Sequence, residues 1–293
     1  MKWSVKSALI FLAIVNLIFS QPTSAQNLDD IVRFSDQQFN KGNFELAANE
    51  YNRALFFGHR DADQLCLKIA NCYFSQNKLE QSTVFFDRAY FSTNSDSIKT
   101  EAILGKSFSL ILDKKYILAL SELINIDSTK YADQNTKLNF LKGIAYFGSN
   151  QDDLAEIAFK KCIAGFPGKT ISDEIEKDFI QLRKIEKRYN PRTAWFLSLI
   201  VPGAGQLYSG ELKEAANSSV LLGGLIYLTI SFASKYSFWE AIVIVFPWFQ
   251  RYYIGGANKA ENMALEKQKI KRNNTYQSIL RSIEGEPQQQ IAN

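Results

Sequence analysis

The sequence predicts an all-α chain, in which a solenoid of repeated helical pairs is followed by a small helical membrane domain. Three features of its 293 residues support this prediction. The chain opens on a charged and then apolar segment. A pattern of small and large residues recurs through its first half, and few charges occur between residues 193 and 256. These three features follow one another along the chain and therefore predict the order of its parts.

The N-terminal segment has the pattern of a secretory signal peptide. Lys2 and Lys6 precede an apolar run over residues 8–19, and small polar residues lead to Ala25. A membrane-spanning helix needs about 20 apolar residues, so this run is too short to be one. We predict a signal peptide over residues 1–25, cleaved after Ala25 or alternatively after Ser20. Because no cysteine lies near the cut, a lipid-modified N-terminus is excluded.

Four segments between residues 26 and 168 align on one small residue each, at spacings of 35, 37 and 36. The aligned small residues are Ala47, Ser82, Ala119 and Ala155. A second set, twelve positions earlier, is also small: Ser35, Ala70, Ser107 and Gly143. Large residues stand four positions after the first set: Tyr51, Phe86, Leu123 and Phe159. Small residues allow two helices to cross closely, and large ones fill the gaps beside the crossing, so each segment predicts a helix-turn-helix unit.

This spacing resembles the tetratricopeptide-repeat family, whose pattern of small and aromatic residues recurs near a 34-residue period. Pro167 stands where that pattern places a closing proline, whereas the third repeat departs from it at Lys106, Leu110 and Ile126. A coiled coil is the competing helical interpretation, but no heptad is sustained. The resemblance implies four repeats over residues 26–168 that stack into a curved solenoid with a concave groove.

Candidate residues for a partner groove lie four positions after the small residue of each first helix. They are Phe39, Phe74, Ile111 and Phe147. This stripe either holds an apolar peptide or is ordinary packing between repeats, and the sequence leaves both open. Asn71 is the one residue that matches the basic and Asn-rich clamp by which some family members hold a terminal carboxylate. That function is therefore not transferred.

Residues 169–190 predict one capping or linker helix, which ends at Asn190-Pro191. Its second half joins a basic strip over residues 183–192, with five basic residues and one acidic residue. A basic strip beside an apolar segment is typical of a membrane boundary. A solvated helix face is the alternative.

Residues 191–262 predict a helical membrane domain, and residues 263–293 a basic and then polar tail. The span 215–234 has the length of one crossing. Residues 239–253 form a shorter candidate and residues 193–201 a third. The charge distribution favours three short crossings over two, and a signal peptide places the repeats in the periplasm. A soluble, buried helical core is the competing interpretation of this block.

The most specific motif is Pro-Gly-x-Gly-Gln-x-Tyr-x-Gly. Its residues are Pro202, Gly203, Gly205, Gln206, Tyr208 and Gly210. It resembles the signature of a small membrane domain common in Bacteroidetes-type envelope proteins, a family without an assigned biochemical activity. From the residues alone, proline breaks a helix, the glycines allow close approach, and Gln206 satisfies freed backbone groups. A phosphate-binding loop is excluded, since no strand precedes the motif and no Lys-Ser/Thr follows it.

The composition predicts no catalytic, cofactor-binding or metal site. His59 is the sole histidine, and Cys66, Cys72 and Cys162 form no CxxC pair and fall in helical patterns, as core thiols do. We therefore predict a non-enzymatic scaffold or adaptor of the bacterial cell envelope. Its predicted partners are a protein, bound through the repeats, and membrane lipid, but not nucleic acid. The alternative is a membrane-embedded accessory subunit of a transport or export complex, in which the glycine motif packs against a partner helix.

Overall fold

The computed structural model describes residues 27–126, 134–164, 169–235 and 237–284. Within these ranges every regular element is a helix, which confirms the predicted all-α class. The chain divides into two compact units, Met1–Ala155 and Glu156–Asn293. The predicted signal peptide, Pro167 and the last nine residues of the tail lie outside the described residues.

The first unit is a succession of helical pairs, each joined by a three-residue turn. The helices are α1 (Leu28–Asn40), α2 (Phe44–Phe56), α3 (Ala62–Ser75), α4 (Leu79–Ser92), α5 (Asp96–Leu112), α6 (Tyr116–Ile124), α7 (Asn135–Gly148) and the start of α8 (Asp152–Ile163). Neighbouring helices in sequence pack against each other from α1 to α7. The hydrophobic core of the unit is therefore built from contacts between successive helices.

The four turns within the pairs have one geometry. Each contains one residue with positive φ: Gly42 (81°), Asn77 (58°), Lys114 (59°) and Asn150 (59°). The next amide donates to the carbonyl five residues earlier at 2.8–2.9 Å, the closing bond of a Schellman turn. These residues are spaced by 35, 37 and 36, like the aligned small residues. Lys114 is the exception in chemistry, because glycine has no β-carbon and asparagine adopts this conformation with local hydrogen bonding, whereas lysine has neither property.

The residues aligned in the sequence are buried where the helices cross. Ala47, Ser82, Ala119 and Ala155 are fully buried, and so are the earlier small residues Ser35, Ala70 and Ser107. The Ser82 hydroxyl donates to the Ala70 carbonyl at 3.1 Å, so the two small residues of the second pair meet directly. The large residues of the pattern are at most 3% exposed. The pattern therefore marks the helix crossings and the gaps beside them.

The three cysteines are free and buried, which confirms their prediction as core thiols. Burial raises the pKa of Cys72 to about 12, with a contribution from the negative charge of Asp36. Burial alone raises the pKa of Cys162 to about 11. Burial also raises the pKa of Cys66. All three side chains remain neutral thiols near neutral pH and fill space in the core.

The second unit takes up the chain from Glu156 onward. After the rest of α8 come α9 (Lys169–Arg188), α10 (Pro191–Ile200), α11 (Ala204–Tyr208), α12 (Leu212–Lys235) and α13 (Phe238–Glu284). α9, α10, α11 and α12 all pack against α13. The boundary predicted at residue 262 falls inside α13, so residues 263–284 of the predicted tail continue that helix.

Two parts of this unit differ in their exposed surface. We call α12 together with residues 238–256 of α13 the hairpin, and α9, α10 and α11 together with residues 257–284 of α13 the foot. In the foot, Ala194, Ala260 and Ala264 pack together as a buried cluster. The Glu186 carboxylate pairs with Arg272 at 3.5 Å. The foot therefore joins the basic strip before the apolar block to the basic segment after it.

The hairpin exposes large apolar side chains along both of its helices. The most exposed are Leu212, Val220, Tyr227, Ile230, Trp239 and Val243, at 65–74%. α12 has 24 residues, and only 6% of its most apolar window is buried. It is the one helix in the described ranges that is long and apolar enough, by length and composition, to cross a membrane. Within the described residues, α12 is therefore not part of a buried core.

Candidate functional site

The predicted groove stripe is only partly accessible. Ile111 and Phe147 are 5% and 7% exposed and belong to the core. Phe39 is half-buried, and its ring lies edge-on to Phe44 at 5.2 Å. Phe74 is half-buried as well. Ile111 and Phe147 thus support the alternative of packing between helices, and they offer no surface to a partner.

Phe108, which is not among the predicted groove residues, forms an aromatic pair with the predicted residue Phe74. The rings of Phe74 on α3 and Phe108 on α5 are 5.2 Å apart, and Phe108 is 36% exposed. Asn71, one turn before Phe74 on α3, is half-buried. Phe108 follows the small residue Ser107 by one position, as Asn71 follows Ala70, so the repeat alignment contained the signal. We call Asn71, Phe74 and Phe108 the first-helix patch.

Two ion-paired clusters tie neighbouring helical pairs together. Lys68 on α3 pairs with Asp36 on α1 at 2.6 Å, and the Tyr51 hydroxyl donates to the same carboxylate. Lys106 on α5 bridges Asp87 and Glu122, at 2.7 and 2.9 Å. These groups hold helices in register, and each is occupied by a partner from its own chain.

The glycine motif forms a helix break that only glycine fits. Gly203 has a φ of 93°, and a β-carbon there would lie 2.6 Å from the Ala215 carbonyl oxygen. A β-carbon on Gly205 would lie 1.9 Å from the Ala194 carbonyl oxygen. Pro202 stands between α10 and α11, as predicted, and its carbonyl accepts a bond from the Ser219 hydroxyl at 2.8 Å. The motif thus brings α10, α11 and α12 into backbone contact.

Gln206 is the polar centre of the motif and is 1% exposed. Its side-chain nitrogen donates to the Gly256 carbonyl on α13 at 2.8 Å. Its side-chain oxygen accepts from the Ser198 hydroxyl on α10 at 2.9 Å, and that hydroxyl accepts in turn from the Gly205 amide at 3.0 Å. Gln206 therefore links three helices through a buried and satisfied network.

The role predicted for Gln206 needs one correction. Its bond goes to the carbonyl of Gly256, fifty residues away, and not to a group released by the proline break. Ser219 supplies the bond to Pro202 instead. A contact across so many residues depends on the tertiary fold and leaves no local signal in the sequence.

The end of the motif fastens it to the foot. The Tyr208 hydroxyl donates to the Lys187 carbonyl at 3.2 Å and accepts from the Asn190 amide at 3.3 Å. Gly210, with a φ of 79°, ends α11. The Lys267 ammonium group on α13 donates to the Ser209 carbonyl at 2.7 Å. The six motif residues therefore form the break between α10 and α11 and the contacts that hold these helices to α12 and α13.

The histidine side chain is held by hydrogen bonds in a turn between two helices. His59 is 8% exposed in the turn between α2 and α3. Its Nε2 lies 3.0 Å from the Asp29 carboxylate, and its Nδ1 accepts from the Asp61 amide at 3.1 Å. No group of three metal-ligating side chains occurs among the residues that the structure describes.

Comparison with known proteins identifies no relative. No protein-family model, no curated protein and no solved structure matches the chain. Function is therefore inferred from the geometry of the two units.

Proposed function

We propose that this chain is a non-enzymatic scaffold of the bacterial cell envelope, which binds a protein through a tetratricopeptide-like solenoid and is anchored by the hairpin. The observation that carries the proposal is the recurrence of one turn geometry at spacings of 35, 37 and 36 residues. The same turn inside each pair, at nearly constant spacing, is what an array of stacked repeats requires. Such arrays form extended surfaces for binding a partner.

The first-helix patch is the part of the solenoid that we assign to the partner. First helices line the concave side of such arrays, and the patch combines two aromatic rings with one amide. Aromatic side chains contribute most to binding where they are packed and can be desolvated. The ring pair also holds Phe74 and Phe108 in place before binding.

We propose that the hairpin crosses the membrane twice. α10 has ten residues and a length of about 15 Å, half of the hydrocarbon thickness, so it does not cross. α12 has the length of one crossing, and residues 238–256 of α13 return beside it. Two crossings place both parts of the foot, the helices before the hairpin and residues 257–284 after it, on one side of the membrane. This proposal replaces the three crossings favoured by charge alone.

The predicted signal peptide places the solenoid, and with it the foot, in the periplasm. Two basic segments would then lie outside, against the usual preference for the cytoplasm. Long exported domains cross largely regardless of charge, and the signal acts first. We therefore retain the periplasmic location.

The accessory-subunit alternative, in its predicted form, requires the motif glycines to contact a partner helix. Gly203 and Gly205 are instead in contact with Ala215 and Ala194 of the same chain. This occupation favours the anchored scaffold.

A site-specific photo-crosslinker tests the partner assignment in cells that produce the full chain. p-Benzoylphenylalanine at Phe74 should yield one discrete protein adduct, because this ring belongs to the patch. The matched control is Phe91, which is 80% exposed on the second helix of the same pair. We expect no adduct from this position.

Equal adducts from both positions would indicate non-specific proximity. Adducts from Phe91 alone would place the partner on the second helices. Either result contradicts the assignment to the first-helix patch.

A further inference from the structure

A groove of about 390 Å³ opens between the two helices of the hairpin, next to the foot. α12 contributes Glu214, Asn217, Ser218, Leu221 and Leu222, and α13 contributes Arg251, Tyr252, Gly255, Gly256 and Lys259, with Gln206 at the base. Along α12 the polar groups lie toward the foot and the leucines toward the tip, and on α13 Arg251 and Tyr252 lie toward the tip from Lys259. The motif network does not use this groove apart from its shared edge at Gln206 and Gly256.

Arg251, Gly255 and Lys259 occupy one face of α13 at intervals of four residues. The Lys259 ammonium group is paired with the Glu214 carboxylate. Arg251 lines the groove and has no hydrogen bond or ion pair within the described ranges, so its positive charge is not neutralised there. Two cations and one carboxylate line the groove, so its net charge is positive.

The depth of Arg251 makes an unpaired charge costly. It lies thirteen residues along α13, about 20 Å from the tip of the hairpin, and Lys259 lies about 32 Å from it. With a hydrocarbon thickness of about 30 Å, Lys259 reaches the interface and Arg251 lies below it. A guanidinium group at this depth is expected to have an anionic partner. Glu240, in the first turn of α13, is about 16 Å from Arg251 along the helix and is too far away to be its anionic partner.

Gly255 leaves space for that partner. A β-carbon at this position would meet no atom within 4 Å, so the residue lies at the open part of the groove. Toward the tip, the same helical faces continue with exposed Leu228, Ile244 and Trp248. The Trp248 ring stacks on Tyr252 at 6.4 Å, which joins the apolar surface to the groove wall. A polar pocket at the interface with an apolar path into the membrane fits a headgroup with its acyl chains.

We propose that the groove binds the phosphate group of an anionic phospholipid. Arg251 and Lys259 hold the phosphate oxygens from two successive levels of one helix face. Asn217 and Ser218 supply hydrogen-bonding groups from α12. The acyl chains lie along the exposed apolar residues toward the tip. The site rests on the membrane placement of the hairpin proposed above.

Native mass spectrometry of the detergent-solubilised full chain tests the site with two lipids, dioleoylphosphatidylglycerol and dioleoylphosphatidylcholine. We expect one phosphatidylglycerol per chain, bound more tightly than phosphatidylcholine. Arg251→Gln should weaken that binding by about tenfold or more, as expected for loss of one charge-assisted contact. Lys213→Gln is the matched control, because it removes an exposed cation from α12 that does not line the groove.

A second variant tests whether the lipid occupies the groove itself, without removing a positive charge. Gly255→Leu fills the open groove and leaves both cations, and it should weaken phosphatidylglycerol binding as Arg251→Gln does. Equal losses in Arg251→Gln and Lys213→Gln would show general attraction to anionic lipid and overturn the site. Tight binding retained in Gly255→Leu would also overturn it.

Two further results distinguish the source of the anion and the failure of the anchor. Inorganic phosphate at millimolar concentration should not displace the lipid, and displacement would identify a free-anion site instead. If wild-type chain leaves membranes in an alkaline carbonate wash, the proposed anchor fails. If it resists the wash but shows no preference for phosphatidylglycerol, the lipid site alone is rejected.

Discussion

Gly205→Ala should destabilise the second unit by about 3 kcal/mol or more, at or above the upper end of usual overpacking costs. The new β-carbon would lie 1.9 Å from the Ala194 carbonyl oxygen and 2.4 Å from the Ser198 hydroxyl. Because the first of these atoms is backbone, α10 and α11 must move apart. Their separation breaks the bond from the Gly205 amide to the Ser198 hydroxyl and the bond from that hydroxyl to Gln206. Thermal unfolding in detergent, followed by tryptophan fluorescence, should show the loss.

Gly255→Ala is the control for this change. It makes the same substitution within α13, where the β-carbon meets no atom within 4 Å. Alanine is favoured over glycine inside a helix by up to about 1 kcal/mol, so the unfolding temperature should stay or rise. If Gly205→Ala unfolds at the wild-type temperature, the close contact between α10 and α11 is not present in the protein.

Phe147→Glu should unfold the first unit, or leave it with only marginal stability. The Phe147 side chain is 7% exposed. Truncating a buried phenylalanine costs about 3–5 kcal/mol, and the carboxylate must also be desolvated. Domains are stable by only about 5–15 kcal/mol, so this loss is a large share of the total. Urea unfolding of the full chain, followed by far-UV circular dichroism, measures it.

Phe74→Glu is the matched variant, at the equivalent position of the second repeat. Phe74 is half-buried and packs on Phe108, so its replacement should cost about 1 kcal/mol, the value of one aromatic pair. The variant should remain folded and lose the partner. Equal destabilisation by the two substitutions would show that Phe74 belongs to the core and would leave the first-helix patch without its main residue.

The repeat architecture was predictable because its signal is local and recurrent. Ala47 and its counterparts mark a crossing between helices that are adjacent in sequence, so their 35–37-residue spacing carries the information. The burial of the three thiols follows from the same helical patterns. Lys114 was not predictable as a positive-φ residue from its chemistry, since lysine has no preference for that conformation. Its place in the period is the only signal, and the tertiary fold overrides the local preference.

The arrangement of the second unit could be predicted only in part. The break at Pro202 follows from local chemistry, and the glycines at positions 203 and 205 indicate a close approach without showing that Ala215 and Ala194 are the residues that approach. The bond from Gln206 to Gly256 joins residues fifty positions apart, and nothing near either residue indicates it. The continuation of α13 through the predicted boundary at residue 262 was also missed, because charge counts do not show where a helix ends.

The central claim is that the hairpin returns the chain to the side from which it entered. Single cysteines at Lys187 on α9, Gln277 on α13 and Ser237 at the tip, in a variant lacking the three native cysteines, report the side of each segment. All three positions are exposed. With an impermeant thiol reagent on intact spheroplasts, the cysteines at 187 and 277 should be labelled, and the one at 237 only after lysis. Labelling of 187 and 277 from opposite sides would contradict the two-crossing anchor.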